Sequence, residues 1–246
     1  MIVRAIKTRK FLPPKDNLLD LLSSIKELKE DSVVAVTSKV VSIGEGRCIP
    51  TSKISKDELA AEEADKYLPR EESPGGWILH TIKNNMIVAS GGVDESNGAN
   101  YYILWPKNPT ASAKKIWSFL RKRFKIINVG VIITDSRLIP LRRGVVGIAI
   151  SYFGFKGLKD YRGKKDLFGR EFVMETSNLA DSLATAAVLE MGEGAERLPI
   201  VVISNIPDIE FSSKTDKSLE LGEKEDMFYP FFSSVKWKKG GSGKRR

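Results

Sequence analysis

The chain has 246 residues, 41% hydrophobic and 29% charged, with a formal net charge of +9, one cysteine and one histidine. This balance excludes collagen-like, mucin-like and wholly disordered chains, and no apolar run reaches the roughly 20 residues that span a bilayer. With only Cys48 and His80, an intramolecular disulfide and a cysteine-rich zinc site are excluded, so any metal is expected to be a hard cation held by oxygen.

In chain order, the first ten residues, broken by charge, read as a strand and not as a secretory leader. They run into Phe11-Leu12-Pro13-Pro14, an extended segment. Asp16 can cap a helix over Leu18 to Leu28, with Leu18, Leu19, Leu22, Ile25 and Leu28 on one face. Ser32 to Thr37 is a β-branched strand, expected to open into a glycine-punctuated loop from Ser38 to Arg47. Asp57 to Leu68 reads as a helix closed by Pro69, and Met86 to Val93 as a strand ending in glycines before Asp94-Glu95-Ser96-Asn97. Thr110 is expected to cap a helix through Phe124. Strands follow at 128–134 and 145–152, with Thr134-Asp135-Ser136 read as a turn after the first. A helix from Ser177 to Met191, ended by Gly192-Glu193-Gly194, precedes a strand over Leu198 to Ser204. Phe228 to Phe232 reads as a docking patch. The class is mixed α/β (α+β), with a folded unit over 1–209 and a polar segment over 210–246 that ends in a basic tail expected to be disordered.

Six of the nine net positive charges sit in Lys236, Lys238, Lys239, Lys244, Arg245 and Arg246, leaving +3 on residues 1–235. Without a helix-turn-helix, RNP or zinc pattern, nucleic acid is not expected as the partner. Phosphate-loop, Rossmann and hydrolase-elbow signatures are absent from the sequence. His80 reads as a packed or surface residue, and Cys48 as a small buried one. Three acids stand at the ends of apolar segments: Asp94, Asp135 beside Ser136, and Glu193. Carboxylates so placed can converge above a core and bind magnesium or manganese. Any one of them alone reads more readily as a turn-former or helix cap, and Gly-Glu-Gly as a helix C-cap. Lys39 and Arg47 read either as phosphate contacts or as solvated charge.

Taken together, several stretches resemble the coenzyme F420:L-glutamate ligase (gamma-glutamyl ligase) family. They are Thr37 to Ser42 with Glu45-Gly46-Arg47; Gly92 to Asn97; Ile132 to Ser136 with Arg142-Arg143-Gly144; Val145 to Ile150; Asp160 to Gly163 with Lys165 to Arg170; and Ala180 to Ala184 leading to Met191-Gly192. They fall in the family's order over about residues 1–206. The resemblance implies a two-subdomain α/β fold in an intertwined cytoplasmic homodimer. It also implies a ligase that uses GTP or another nucleoside triphosphate, with Mg2+ or Mn2+ and K+ as an auxiliary cation. Such an enzyme makes an acyl phosphate on a small-molecule acceptor, a precursor of the deazaflavin coenzyme F420, and L-glutamate's amine then displaces phosphate. By motif position, Asp94, Asp135, Ser136 and Glu193 would hold metal, and Asp135, Arg143 and Lys165 would take part in catalysis. Leu12, Pro13, Ser38, Lys39, Asn97, Met191, Gly192 and Gly194 would contact the nucleotide.

Four positions depart from the family's pattern. Ile43 stands where a lysine is usual, the 84–91 segment lacks a His-Gly pair, Ser136 replaces threonine, and Glu193 replaces glutamine. These departures leave room for another acceptor, such as a folate, or for a non-catalytic nucleotide- or metal-binding homologue.

Overall fold

A computed structural model describes residues 1–243. In chain order, β1 (Ile2–Ile6), α1 (Leu18–Leu22), β2 (Ser32–Thr37) and α2 (Ser38–Glu45) come first. Next are β3 (Cys48–Pro50), α3 (Lys56–Glu63), β4 (Lys66–Leu68), β5 (His80–Lys83), β6 (Met86–Ala89) and β7 (Tyr101–Ile103). The rest are α4 (Pro109–Phe124), β8 (Val129–Leu138), β9 (Val145–Phe153), β10 (Leu158–Asp160), β11 (Thr176–Asn178), α5 (Leu179–Met191), β12 (Ile200–Ser204), α6 (Tyr229–Ser233) and β13 (Lys238–Lys239).

The central sheet has the order β1-β12-β2-β8-β9, with β2 and β8 parallel and the other pairs antiparallel. Its inner strands read as near-continuous apolar runs because both faces are covered. On one face Val34, Val36, Val131, Ile133 and Val202 share one hydrophobic cluster with Ala113, Ile116 and Leu120 of α4. On the other, Val33, Ala35, Ile132, Val201 and Ile203 meet Ala180, Leu183, Ala184 and Ala187 of α5. A smaller antiparallel sheet, β13-β4-β5-β6, and the β3/β7 pair are built mainly from residues between α2 and α4. The mixed α/β class is as expected.

Several elements differ from the sequence expectation, each for a local reason. Ser38 to Glu45 is a helix, not a loop, because Val40, Val41 and Ile43 on one side are buried; left-handed Gly46 then ends it. Helix α1 stops at Leu22, where the backbone N–H groups of Ser23 to Ile25 make tight turns. Helix α3 ends at Glu63, since Ala64 is extended and Lys66–Leu68 pairs with β5. The strand expected over 86–93 ends at Ala89, with a 3-10 turn over Ser90–Gly92. Asn108, not Thr110, caps α4, and Asn178 caps α5, which starts at Leu179 and not Ser177. Most consequentially, β8 does not turn at Thr134. It continues to Leu138, with Ile133 opposite Ser151 and Thr134 opposite Ala149, so Ile150 is an extra residue on β9.

The C-terminal segment folds back along the molecule. Phe155 bridges Phe211, the backbone N–H of Gly157 donates to Asp216 at 2.7 Å, and Lys66 pairs with Glu223 at 2.7 Å. Lys238 and Lys239 extend the small sheet, and Gly240 to Gly243 donate to carbonyls of Asp65, Ala61, Ala64 and Glu62. The tail expected to be disordered is described to Gly243, lying along the small sheet and α3; Lys244 to Arg246 lie outside the described residues.

Candidate active site

The parallel pair β2/β8 opens at its carboxyl end, where Thr37 lies beside Thr134 and the chain enters α2. Crevices of α/β sheets form at such ends because neighbouring strands leave there in different directions. Here the crevice is a cavity of about 700 Å³. It is walled by the segment Thr8 to Pro13, by Ser38 and Lys39 of α2, by Asp94, Ser96 and Asn97, by Thr134 to Ser136, and by Met191 to Pro199.

The acids arrive from separate elements. Asp94 follows the 3-10 turn and is held by a backbone bridge to Ile103, with N···O distances of 2.9 and 2.7 Å. Its carboxylate accepts from the Ser96 backbone N–H at 2.8 Å and pairs with the Lys39 ammonium at 2.7 Å. Lys39 also donates to the Ser96 carbonyl at 2.8 Å. Burial opposes ionisation of Asp94, but Lys39 and the Ser96 donors outweigh it and hold the carboxyl below its ordinary range.

Asp135 projects from β8, accepting from the Trp105 indole N–H and, at 2.9 Å, from the Ser136 backbone N–H. Burial pushes its carboxyl up to about 6, against the two donors, and the Asp94 charge adds to the rise. A buried carboxyl whose ionisation is opposed by burial and by a neighbouring carboxylate is a setting that a cation relieves. Ser136 donates its hydroxyl to Glu193 at 2.7 Å, and the Asn97 side-chain amide donates to the Gly194 carbonyl at 3.0 Å, tying the loop after α5 to two other segments of the wall.

Asp94, Asp135, Ser136 and Glu193 thus line one cavity with Leu12, Pro13, Ser38, Lys39, Asn97, Met191, Gly192 and Gly194. An all-oxygen donor set of this kind fits a hard divalent cation and not a soft one. Among the described residues, no three His, Cys, Asp or Glu groups are gathered tightly enough to form a ready-made metal cage. The Lys39 ammonium, paired with Asp94, supplies positive charge among these oxygens.

Arg143 and Lys165 are not brought to this cavity. Arg143 sits exposed between β8 and β9, and Lys165 is exposed in the loop between β10 and β11, bridged to Glu171. Arg47 is turned away from the cavity into an ion pair with Glu63. His80 lies in β5, paired opposite Ala89 and Leu68. Cys48 is buried, which pushes its thiol up to about 11.

Glu196 and Arg197, inside the segment Met191 to Leu198 that the resemblance assigns to the nucleotide, share the wall, and sequence reasoning missed Thr8 and Arg9 beside them. Arg9 is turned toward Asp16 and Asp20, at 2.6 and 2.9 Å. Thr8 is tied to this region by its N–H, 2.9 Å from the Arg197 carbonyl. Trp105 was missed as well, because nothing in Tyr101 to Pro106 marks an indole that reaches another element.

The sequence model described as F420-0:gamma-glutamyl ligase matches residues 6–205. A coenzyme F420:L-glutamate ligase of Methanopyrus kandleri is 36% identical over 80% of this chain and 84% of its own length. Its namesake in Methanococcus maripaludis strain C7 is 36% identical over 87% and 91%, and that of Archaeoglobus fulgidus 35% over 78% and 82%. The chain therefore belongs to the F420-0:gamma-glutamyl ligase family and is a carbon–nitrogen ligase.

Proposed function

We propose that this protein adds L-glutamate through a gamma-glutamyl link to a precursor of the deazaflavin coenzyme F420, using GTP or another nucleoside triphosphate. In the first step an acceptor carboxylate oxygen attacks the terminal phosphorus, giving an acyl phosphate and the nucleoside diphosphate. In the second the glutamate amine attacks the acyl carbon, the carbon–nitrogen bond forms, inorganic phosphate leaves and the amine loses its proton. Asp94, Asp135, Ser136 and Glu193 would hold Mg2+ or Mn2+, which supplies positive charge to the phosphates. Lys39 offers an ammonium to phosphate oxygens, and the Asn97–Gly194 hydrogen bond holds the loop after α5 against the nucleotide. Such groups act by positioning and charge.

The observation that carries this reading is the convergence of four oxygen donors, Lys39 and the Met191–Gly194 segment in one cavity at the carboxyl end of the parallel pair. Among the described residues no helix is long and apolar enough to cross a membrane, and we place the reaction in the cytoplasm. We also propose a homodimer. Leu138, Ile139 and Leu141 on one exposed arm, and Leu167 and Phe168 on another, offer apolar surface to a second copy. The same arms carry Arg143 and Lys165, so each could serve its partner's cavity. A folate or another acceptor is the competing substrate; Ile43 lines the cavity wall where the family's lysine would bring charge.

Incubation of the protein with nucleoside triphosphate, Mn2+, L-glutamate and either the deazaflavin precursor or a folate tests the proposal. The expected result is phosphate release that depends on the deazaflavin, with a product heavier by one or more glutamyl units. Release driven only by a folate would move the acceptor, and no product with any acceptor would end the reading.

A further inference from the structure

Behind the cavity floor lies a set of buried charged groups. Glu63, 2% exposed, accepts from Arg47 at 3.0 and 2.9 Å and from the Lys83 ammonium at 2.9 Å. Lys83 also donates to the Gly91 carbonyl at 3.0 Å, and its nitrogen stands 5.3 Å from the centre of the Trp105 ring. Arg47 donates through Nε to the Trp105 carbonyl at 3.2 Å. The indole, itself 2% exposed, is thus fixed from its backbone and from one face, and its N–H is directed at Asp135.

The same ring governs the approach to Asp94. Gly92 has φ +71°, and a Cβ there would lie 2.4 Å from the indole nitrogen, so the backbone runs against the ring with no room for a side chain. Asp94 follows two residues later and is bridged to Ile103, two residues before Trp105. Both acids are therefore referenced to one rigid aromatic body. Among the described residues, the charged ends of Lys83 and Glu63 contact Arg47, the Gly91 carbonyl and the Trp105 ring, none of which lines the cavity, so the proposed chemistry leaves them without a direct role.

We infer that Trp105 is a positioning residue for Asp94 and Asp135, braced by the buried Glu63–Lys83–Arg47 set. The inference rests on the reading of these two acids as cation ligands. The physical grounds are general: groups that orient a metal's ligands weaken binding or turnover about 10–100-fold when removed. A buried polar network that is fully satisfied also fixes one geometry.

The test compares the full chain with Trp105→Phe, Lys83→Met, Phe153→Leu and Asp135→Asn. Free Mn2+ is followed by its electron paramagnetic resonance during titration without nucleotide, alongside thermal melting and steady-state turnover. Trp105→Phe keeps an aromatic ring but loses the N–H donor. It should weaken Mn2+ about 10-fold or more and lower kcat, with the acceptor KM unchanged. Phe153→Leu, a core change away from the cavity, should lower the melting temperature and leave Mn2+ affinity within about 2-fold of the parent. Lys83→Met should weaken Mn2+ in the same direction as Trp105→Phe, and decides the matter if the latter fails to fold. Parent-like Mn2+ affinity and kcat in a folded Trp105→Phe, or in Lys83→Met when it stands in, overturns the inference, as does an equal Mn2+ loss in Phe153→Leu. If the parent shows no Mn2+ binding that Asp135→Asn removes, the metal reading itself fails and the positioning role falls with it.

Discussion

Replacing Glu63 with glutamine removes the negative charge on which two buried cations depend. Arg47 and Lys83 would keep one neutral oxygen between them where they now share a carboxylate through three bonds of 2.9 to 3.0 Å. Breaking a buried ion pair from one side costs about 3–5 kcal/mol, because the remaining charge is stranded away from water. The amide oxygen still accepts one bond, which points to the lower end. With about 2–4 °C per kcal/mol for a chain of this size, the melting temperature should fall by about 6–12 °C. Adding Lys83→Met to Glu63→Gln should recover part of the loss, since one stranded cation is then gone.

The pH dependence carries a sign. Burial opposes ionisation of Glu63, yet Lys83 and Arg47 outweigh it and hold the carboxyl below its ordinary value. Its stabilisation is therefore present above the unfolded value of about 4.3 and is lost as pH falls through the depressed one. Thermal melts at pH 7 and across pH 5 to 3 measure both effects. Glu63→Gln should be less stable than the parent at pH 7, with the gap narrowing in acid. A melting temperature within about 1 °C of the parent at pH 7 would refute the argument that this charge is structurally required.

Two further changes test the packing. Gly92→Ala forces a Cβ against the Trp105 indole at a left-handed φ, so it should cost about 2 kcal/mol or more and depress turnover; melting and rate measured together check it. Gly240→Val puts a side chain 2.1 Å from the Ala64 carbonyl. It should release the C-terminal strand from β4, seen as faster hydrogen exchange at Lys66 to Leu68, with Mn2+ affinity unchanged.

The central strands were readable because Val33 to Val36 and Val129 to Ile133 are apolar on both faces, and their burial requires it. The cavity acids were readable because their chemistry is local, an acid beside a hydroxyl or a glycine at the end of an apolar run. What escaped was decided at long range. Val40, Val41 and Ile43 suit a strand by propensity, yet packing against α1 and the core makes them a helix. Thr134 to Ser136 look like a turn by polarity, but those polar side chains line a cavity while their backbones stay in the β8/β9 ladder. The Glu63 side chain carries a faint trace, falling on the same helical face as Leu59 and Ala60. Its partners are 16 and 20 residues away, beyond any local pattern. Arg143 and Lys165 followed from family motifs, and motif position does not say which cavity, if any, an exposed arm reaches.

The most direct test of the central claim is turnover by Asp135→Asn, with the glutamylated product measured by mass and the released phosphate counted. The substitution keeps shape and the contact with Trp105 while removing the charge. The account predicts a folded protein with no glutamylated product and no acceptor-dependent phosphate release. Parent-level product formation by that variant would remove Asp135 from the chemistry and contradict the assignment of this cavity as the ligase site.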